Sequence, residues 1–459
     1  MSDAGAAGGD RGVAAARLAA FVRAEREHYA RARPRSAALV GAGEAGYYAG
    51  VPMHWMLDWP LPFPPVIADA QGATLTDVDG IVLADFCLGD TGSMFGHSPP
   101  AVVRALAAQT GHGLTYMLPT EHALAVAALL RDRFGLPHWQ IATTASDANR
   151  FALRVARAVT GRPRIVVMNG CYHGAVDETY VDLDRGRARN RPGLIGQFAD
   201  LTEGTRVVEF NDVAALERAL APGDVACVIT EPVLTNCCMV LPEPGYHDAL
   251  RHATRAAGTL LLIDETHTIS TGPGGYTRAR GLQPDLFVVG KPIAGGVPAS
   301  VWGFSAAIGA SWDRIRRDKP AGHSGLGTTL SANALAMATM RATLAEVMTD
   351  GAYAHMESLA ARLAAGLGAA IAAHALAWHV ARVGARVEFI CAPGPLRNGT
   401  EAAAAHAPAL EQAIHIGLLN RGCLIAPFHN MMLVCPATTA AQVDQLVAAF
   451  GAVAGALAG

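Results

Sequence analysis

Four apolar runs constrain this chain more than any other feature: RIVVMN at 164–169, VACVIT at 225–230, TLLLID at 259–264 and LFVVGK at 286–291. Each is short and rich in β-branched residues. None shows the alternation of a strand with one wet face. Helical patterns such as EHALAVAALLRDRF and PGYHDALRHATRAAG lie between and around them. Short, wholly apolar strands separated by helices predict an α/β fold, a mostly parallel sheet with helices on both faces. In such sheets ligands sit outside the carboxyl ends of the strands. The residues that follow each run are therefore the candidates for chemistry.

The rest of the chain limits what that sheet can serve. A length of 459 residues fits one large domain with smaller partners. Hydrophobic residues make up 51%, and alanine supplies much of that, so the core should be rich in helix. The net charge of −3 offers no electrostatic case for nucleic acid or an anionic membrane. Arg, Gly or Asp breaks the longest apolar runs short of the ~20 residues of a membrane span. The N-terminus has early acids and no apolar signal core. The eight cysteines are scattered without metal-ligand spacing and read as reduced, buried thiols, with no metal site. A cytoplasmic enzyme is the expectation.

Along the chain, a charged helix is expected from Gly12 to Arg33, ending near Pro34. Strands follow in PVIADAQGATLTDVDGIVLADF, with Gly72 and Gly80 as turns. A long helix begins near 332, and the strands WHVARV, RVEFIC, CLIAP and MMLVC come after it. These shifts divide the chain into an N-terminal segment (1–65), strands that pack with the small domain (66–94), a large domain (95–335) and a small α+β C-terminal domain (336–459). GAGEAG at 41–46 matches a dinucleotide fingerprint in letters only. The strand before it would be only AALV, and Pro52 cuts short a following helix.

Five strand ends carry chemistry. TLLLI leads to Asp264, Glu265, Thr266 and His267; LFVVG to Lys291; QIATT to Ala145 and Ser146 at the start of a helix; RIVVMNG to Cys171, Tyr172 and His173; VACVIT to Glu231. Lys291 stands out because the 36 basic residues are 34 arginines and two lysines, Lys291 and Lys319. A lysine kept in an apolar setting suggests a Schiff base or a neutral amine base, which arginine cannot provide. The set suits pyridoxal phosphate. Lys291 answers the aldehyde, and Asp264 answers the ring nitrogen, which must stay protonated. The helix start at Ala145–Ser146 answers the phosphate, and Tyr172 can stack on the ring.

LLIDETHTISTGPGGYTRARGLQPDLFVVGKPIAGGVPAS resembles the cofactor segment of class III, fold-type-I aminotransferases, in the branch near glutamate-1-semialdehyde aminomutase. GCYHGAVD, TEPV at 230–233 and GTTLSANALAMA at 327–338 carry the same likeness. The resemblance implies that Lys291 binds the cofactor and Asp264 pairs with its ring nitrogen. It implies that Ala145 and Ser146 hold the phosphate and that Tyr172 stacks, with His173 beside it. His267 would lie near the ring hydroxyl and Thr266 against the ring face. Glu231 is either a structural cap or part of the cofactor site. Thr329 would reach the phosphate of a neighbouring subunit, which implies a homodimer with shared sites. Two departures stand out. The phosphate loop reads TASDA where relatives often have SGTEA or GSEA. The places where relatives that act on amino acids often put arginine hold Trp55, beside His54, and Phe428, beside His429. The expected function is amino-group transfer between an amine or amino acid and a keto or aldehyde acceptor. An aminomutase or racemase on the same scaffold is the alternative, and a non-enzymatic cofactor-binding protein a further one.

Overall fold

The computed structural model describes residues 12–320, 324–427 and 429–458. Its main sheet has seven strands. From edge to edge they are His138–Ala142, Ser300–Phe304, Leu286–Val289, Leu260–Asp264, Val225–Thr230, Arg164–Met168 and Thr205–Val208. Ser300–Phe304 runs antiparallel to both its neighbours, and the other pairings are parallel. All four apolar runs are strands of this sheet.

Burial on both faces explains their composition. Leu286 and Val288 join one hydrophobic cluster, while Phe287 and Val289 join the other. With side chains alternating across the sheet, a strand that meets a core on each side has no place for a polar residue. One core includes the amphipathic helix Ala145–Thr160, which buries Ala148, Phe151, Ala152, Val155 and Ala156. Thr144 caps this helix by accepting from the Asp147 N–H, and Gly161 ends it in a left-handed turn.

Two strands of the sheet are harder to read in the sequence. Thr205–Val208 lies at the edge and keeps Arg206 and Val207 only half-buried. Ser300–Phe304 contains Gly303, where a Cβ would come within 2.7 Å of the Trp139 ring. The glycine is there to admit the indole, and it hides the strand pattern.

Three smaller sheets accompany the large one. Ile67–Gln71, Thr74–Asp77 and Val82–Asp85 form a meander that pairs with Cys423–Leu424. His379–Val383, Arg386–Ile390 and Met431–Leu433 form a second. The third is a hairpin, Val181–Asp184 with Arg187–Asn190, whose charged residues conceal it in the sequence.

Three expectations need correction or detail. The first helix is Ala15–Ala32, and Pro34 then opens a second helix, Pro34–Gly43, rather than a loop. Proline suits that first helical position because its missing N–H has no partner there anyway. This helix also occupies the start of GAGEAG, so no strand leads into that motif. Two helices, Asp350–Ala373 and Ala440–Ala458, are long and apolar enough to cross a membrane, contrary to the reading from interrupted runs. They pack together in this fold, burying Leu359, Leu363 and Leu367 with Val443, Leu446 and Phe450. All eight cysteines are buried.

Candidate active site

The carboxyl ends of the strands converge on a cavity of about 400 Å³. It is lined by Ala145, Ser146, Tyr172, His173, Glu231, Asp264, Thr266, His267 and Lys291, with Asn236, Thr143 and Gly89 among their neighbours. Nine residues singled out from the sequence thus share one space.

Lys291 follows its strand after one glycine. A Cβ at Gly290 would lie 2.8 Å from the Ala145 Cβ, so this glycine lets the lysine strand pass against the helix start. Lys291 itself has a left-handed backbone, φ +46°, a conformation that costs an L-residue about 1–2 kcal/mol. Its Nζ donates to Asp90 Oδ2 at 2.8 Å and lies 2.6 Å from His267 Nε2. Burial would raise the Asp90 carboxyl, but Lys291, with His267, His429 and Arg386 around it, holds it well below the usual range. Burial and the charges of Lys291 and Arg386 push His267 well below an ordinary imidazole, so the ring is neutral. Its Nδ1 is 2.7 Å from Thr235 Oγ1, and Thr235 also bonds Glu231 Oε2. Asn236 donates to Glu231 Oε1 at 3.2 Å. Burial raises the Glu231 carboxyl.

Asp264 is held by four donors. Asn149 Nδ2 donates to Oδ2 at 2.8 Å, and His173 Nδ1 does so at 3.0 Å. The Thr266 N–H and hydroxyl donate to Oδ1 at 3.1 and 2.7 Å. Burial opposes the charge, but these bonds and the His173 cation hold the acid below its ordinary value. Burial likewise opposes a charged His173, yet Cys171 and the Asp264 carboxylate hold its pKa up at about 10. The result is a buried ion pair with an ionised carboxylate at the cavity wall.

The cavity's other end is the start of helix Ala145–Thr160. First-turn N–H groups have no partner within a helix, and the helix dipole favours an anion there. Ser146 Oγ accepts from the Ala175 N–H at 2.9 Å, which fixes the turn carrying Tyr172 and His173 against the helix. Tyr172 remains 43% exposed on the cavity wall, its ring tilted against Tyr180 with centroids 6.3 Å apart.

Other predicted residues fall elsewhere. Thr329 lines a separate cleft with Tyr116, Met117 and Leu118. His54 and Trp55 lie in the exposed short helix His54–Leu57, outside the residues lining the Lys291 cavity. His429 is buried with Nδ1 3.9 Å from Glu388 Oε1; burial lowers its pKa to about 4, although Asp90 opposes. Phe428 lies outside the described residues. Sequence reasoning passed over Asp90, Asn149, Thr235, Asn236 and the buried Arg386. The available signals were an acid inside the glycine turn LGDTG and an asparagine one helical turn into the predicted phosphate helix.

The Aminotransferase class-III family model matches residues 58–453. A glutamate-1-semialdehyde 2,1-aminomutase from Roseiflexus castenholzii is 35% identical over 79% of this chain and 83% of its own length. The crystal structure of a glutamate-1-semialdehyde aminomutase from Pseudomonas aeruginosa PAO1 superposes with a TM-score of 0.95 at 48% identity, covering 97% of this chain and all of that one. A variant of that enzyme has been solved in complex with PMP. A β-phenylalanine aminotransferase from Variovorax paradoxus superposes at 0.84 with 26% identity, over 95% of this chain and 97% of that one.

Proposed function

The chain belongs to the class-III aminotransferase family, a pyridoxal-phosphate family of fold-type-I architecture, and on that premise we propose that it moves an amino group within one small amino-aldehyde substrate. The likeness to aminomutases along nearly the whole chain carries this reading.

The cavity residues fit the cofactor. A primary amine, an ionised buried carboxylate, a helix N-terminus and an exposed aromatic ring line one space of ligand size. His173 Nε2 and Asn149 Oδ1 are buried beside it without protein partners. Pyridoxal phosphate, when bound, supplies an aldehyde for the amino group and a ring that draws negative charge from the substrate carbon. Lys291 would hold the cofactor and, when the substrate amine displaces it, move protons at the substrate carbons as base and then acid. Asp264, kept ionised by His173, Asn149 and Thr266, would keep the ring nitrogen protonated. Ala145 and Ser146 would hold the phosphate, and Tyr172 would cover the ring. Thr329 would serve a partner subunit. The exposed Met117 (79%), Leu118 (71%) and Leu330 (56%) near it support a homodimer.

Trp55 favours a second reading, transfer to an external acceptor, because it stands where relatives that act on amino acids often put a carboxylate-binding arginine. The test is to incubate the holoenzyme with glutamate 1-semialdehyde, with and without added pyruvate or 2-oxoglutarate. The proposal expects an isomeric product without any acceptor. Turnover only with a keto acid would replace it with aminotransfer, and inverted stereochemistry alone would make the chain a racemase.

A further inference from the structure

A line of hydrogen bonds leaves Lys291 through His267 and ends at a buried acid. Lys291 Nζ is 2.6 Å from His267 Nε2, His267 Nδ1 is 2.7 Å from Thr235 Oγ1, and Thr235 Oγ1 bonds Glu231 Oε2. Glu231 is only 3% exposed, and Asn236 occupies its other oxygen.

Proton counting allows this line two arrangements. In the first, the single Thr235 hydroxyl proton goes to a charged Glu231. Thr235 oxygen then accepts from His267 Nδ1–H, and the bare Nε2 accepts from the Lys291 ammonium. In the second, every bond reverses. A neutral Glu231 donates to Thr235, Thr235 donates to Nδ1, and Nε2–H donates to a neutral Lys291 amine. We propose that the two exchange, so that Glu231, acting through Thr235 and His267, takes the proton Lys291 must lose to become a nucleophile and base. The transfer balances within the protein. Nζ–H breaks as Nε2–H forms, Nδ1–H breaks as a new Oγ1–H forms, and the old Oγ1–H breaks as the carboxyl O–H forms. His267 is neutral at both ends of the exchange.

The surroundings set the balance. Asp90 favours the Lys291 ammonium through its direct contact. Arg386 and His429 face His267 and Asp90, and the positive Arg386 disfavours further positive charge. His173 and Asp264 face Glu231 with opposite signs, and the positive Arg386 also faces it and favours its charged form. Burial favours the neutral form of Glu231. His267 touches the reacting amine, whereas Thr235 and Glu231 are positioning residues that act through it.

The inference rests on Lys291 being the reactive amine of the proposed function. The chain's two lysines make a direct test possible, because exposed Lys319 is an internal reference. The full-length protein, freed of cofactor, is labelled with acetic anhydride from pH 6 to 10, and both lysine peptides are quantified by mass spectrometry. Thr235→Val, which removes the hydroxyl, should lower Lys291 labelling at pH 7 relative to Lys319 about tenfold. Thr235→Ser should restore it, and Glu231→Gln should lower it as Thr235→Val does. An unchanged profile in Thr235→Val overturns the relay. So does faster labelling in Glu231→Gln, the sign expected if Glu231 were only a nearby negative charge. Borohydride trapping of pyridoxal phosphate on the wild-type protein separates the two failures. If Lys291 takes no cofactor, the proposed function falls; if it does and the profiles do not move, only the relay falls.

Discussion

His173 presents its Nδ1 to Asp264 at 3.0 Å inside the protein, and replacing it with asparagine leaves a donor near that place while removing the charge. The folded imidazole has a pKa of about 10, because Cys171 and the Asp264 carboxylate outweigh burial, against 6.5 for a free histidine. Between those values the folded protein holds one proton more than the unfolded chain. Stability from this residue is complete below pH 6.5 and is lost as pH rises through about 10, at about 1.4 kcal/mol per pH unit. From pH 7 to 10 the loss is of the order of a few kcal/mol. Asp264 has the opposite limb: its folded pKa is depressed, so its contribution is lost on acidification. Urea unfolding of wild type and His173→Asn at half-unit steps from pH 6.5 to 9.5 measures the difference. The gap between them should be widest at pH 6.5 and narrow by about 1.4 kcal/mol per unit. A gap that stays constant would mean that folded His173 is neutral. Asn149 and Thr266 alone would then have to keep Asp264 ionised.

Three further predictions concern the cofactor and the assembly. Lys291→Ala should abolish the borohydride-sensitive visible absorbance of the purified protein, and Lys319→Ala should keep it; the reverse result would overturn the assignment of Lys291. Gly290→Ala places a methyl 2.8 Å from Ala145, and about 1–3 kcal/mol of overpacking should weaken pyridoxal-phosphate affinity roughly 10–100-fold in a spectral titration. Met117→Asp with Leu118→Asp should shift a dimer towards monomer in analytical ultracentrifugation, and an unchanged sedimentation coefficient would remove those residues from the interface.

Much of the site was legible because strand ends point to it. Lys291, Asp264 and Ala145 each follow an apolar run, and chain order places such residues at one edge of a parallel sheet. Thr235 and Asn236 escaped because they lie beyond Glu231 in an irregular loop with no period to count. Asp90 escaped because nothing local ties a glycine turn near 90 to a strand end near 290; their contact spans 201 positions of sequence. Arg386 and Glu388 were hidden for a different reason. Charges inside RVEFI read as solvent-facing, yet all five residues of that strand are buried. Fold class came from composition and period, whereas contacts between distant loops come only from packing.

The left-handed backbone of Lys291 bears on how this protein can change over generations. At φ +46° glycine would relieve strain, and a lysine there costs about 1–2 kcal/mol in conformation alone. Such costs persist where the surrounding structure holds the residue in place, as the glycine turn and the Asp90 contact do here. A lineage released from its reaction would gain in backbone conformation only through glycine at 291, and that change would leave the buried Asp90 carboxylate without its Lys291 partner. Stability-driven engineering meets both terms at once, since glycine at 291 would ease the backbone and abolish the reaction while unpairing Asp90.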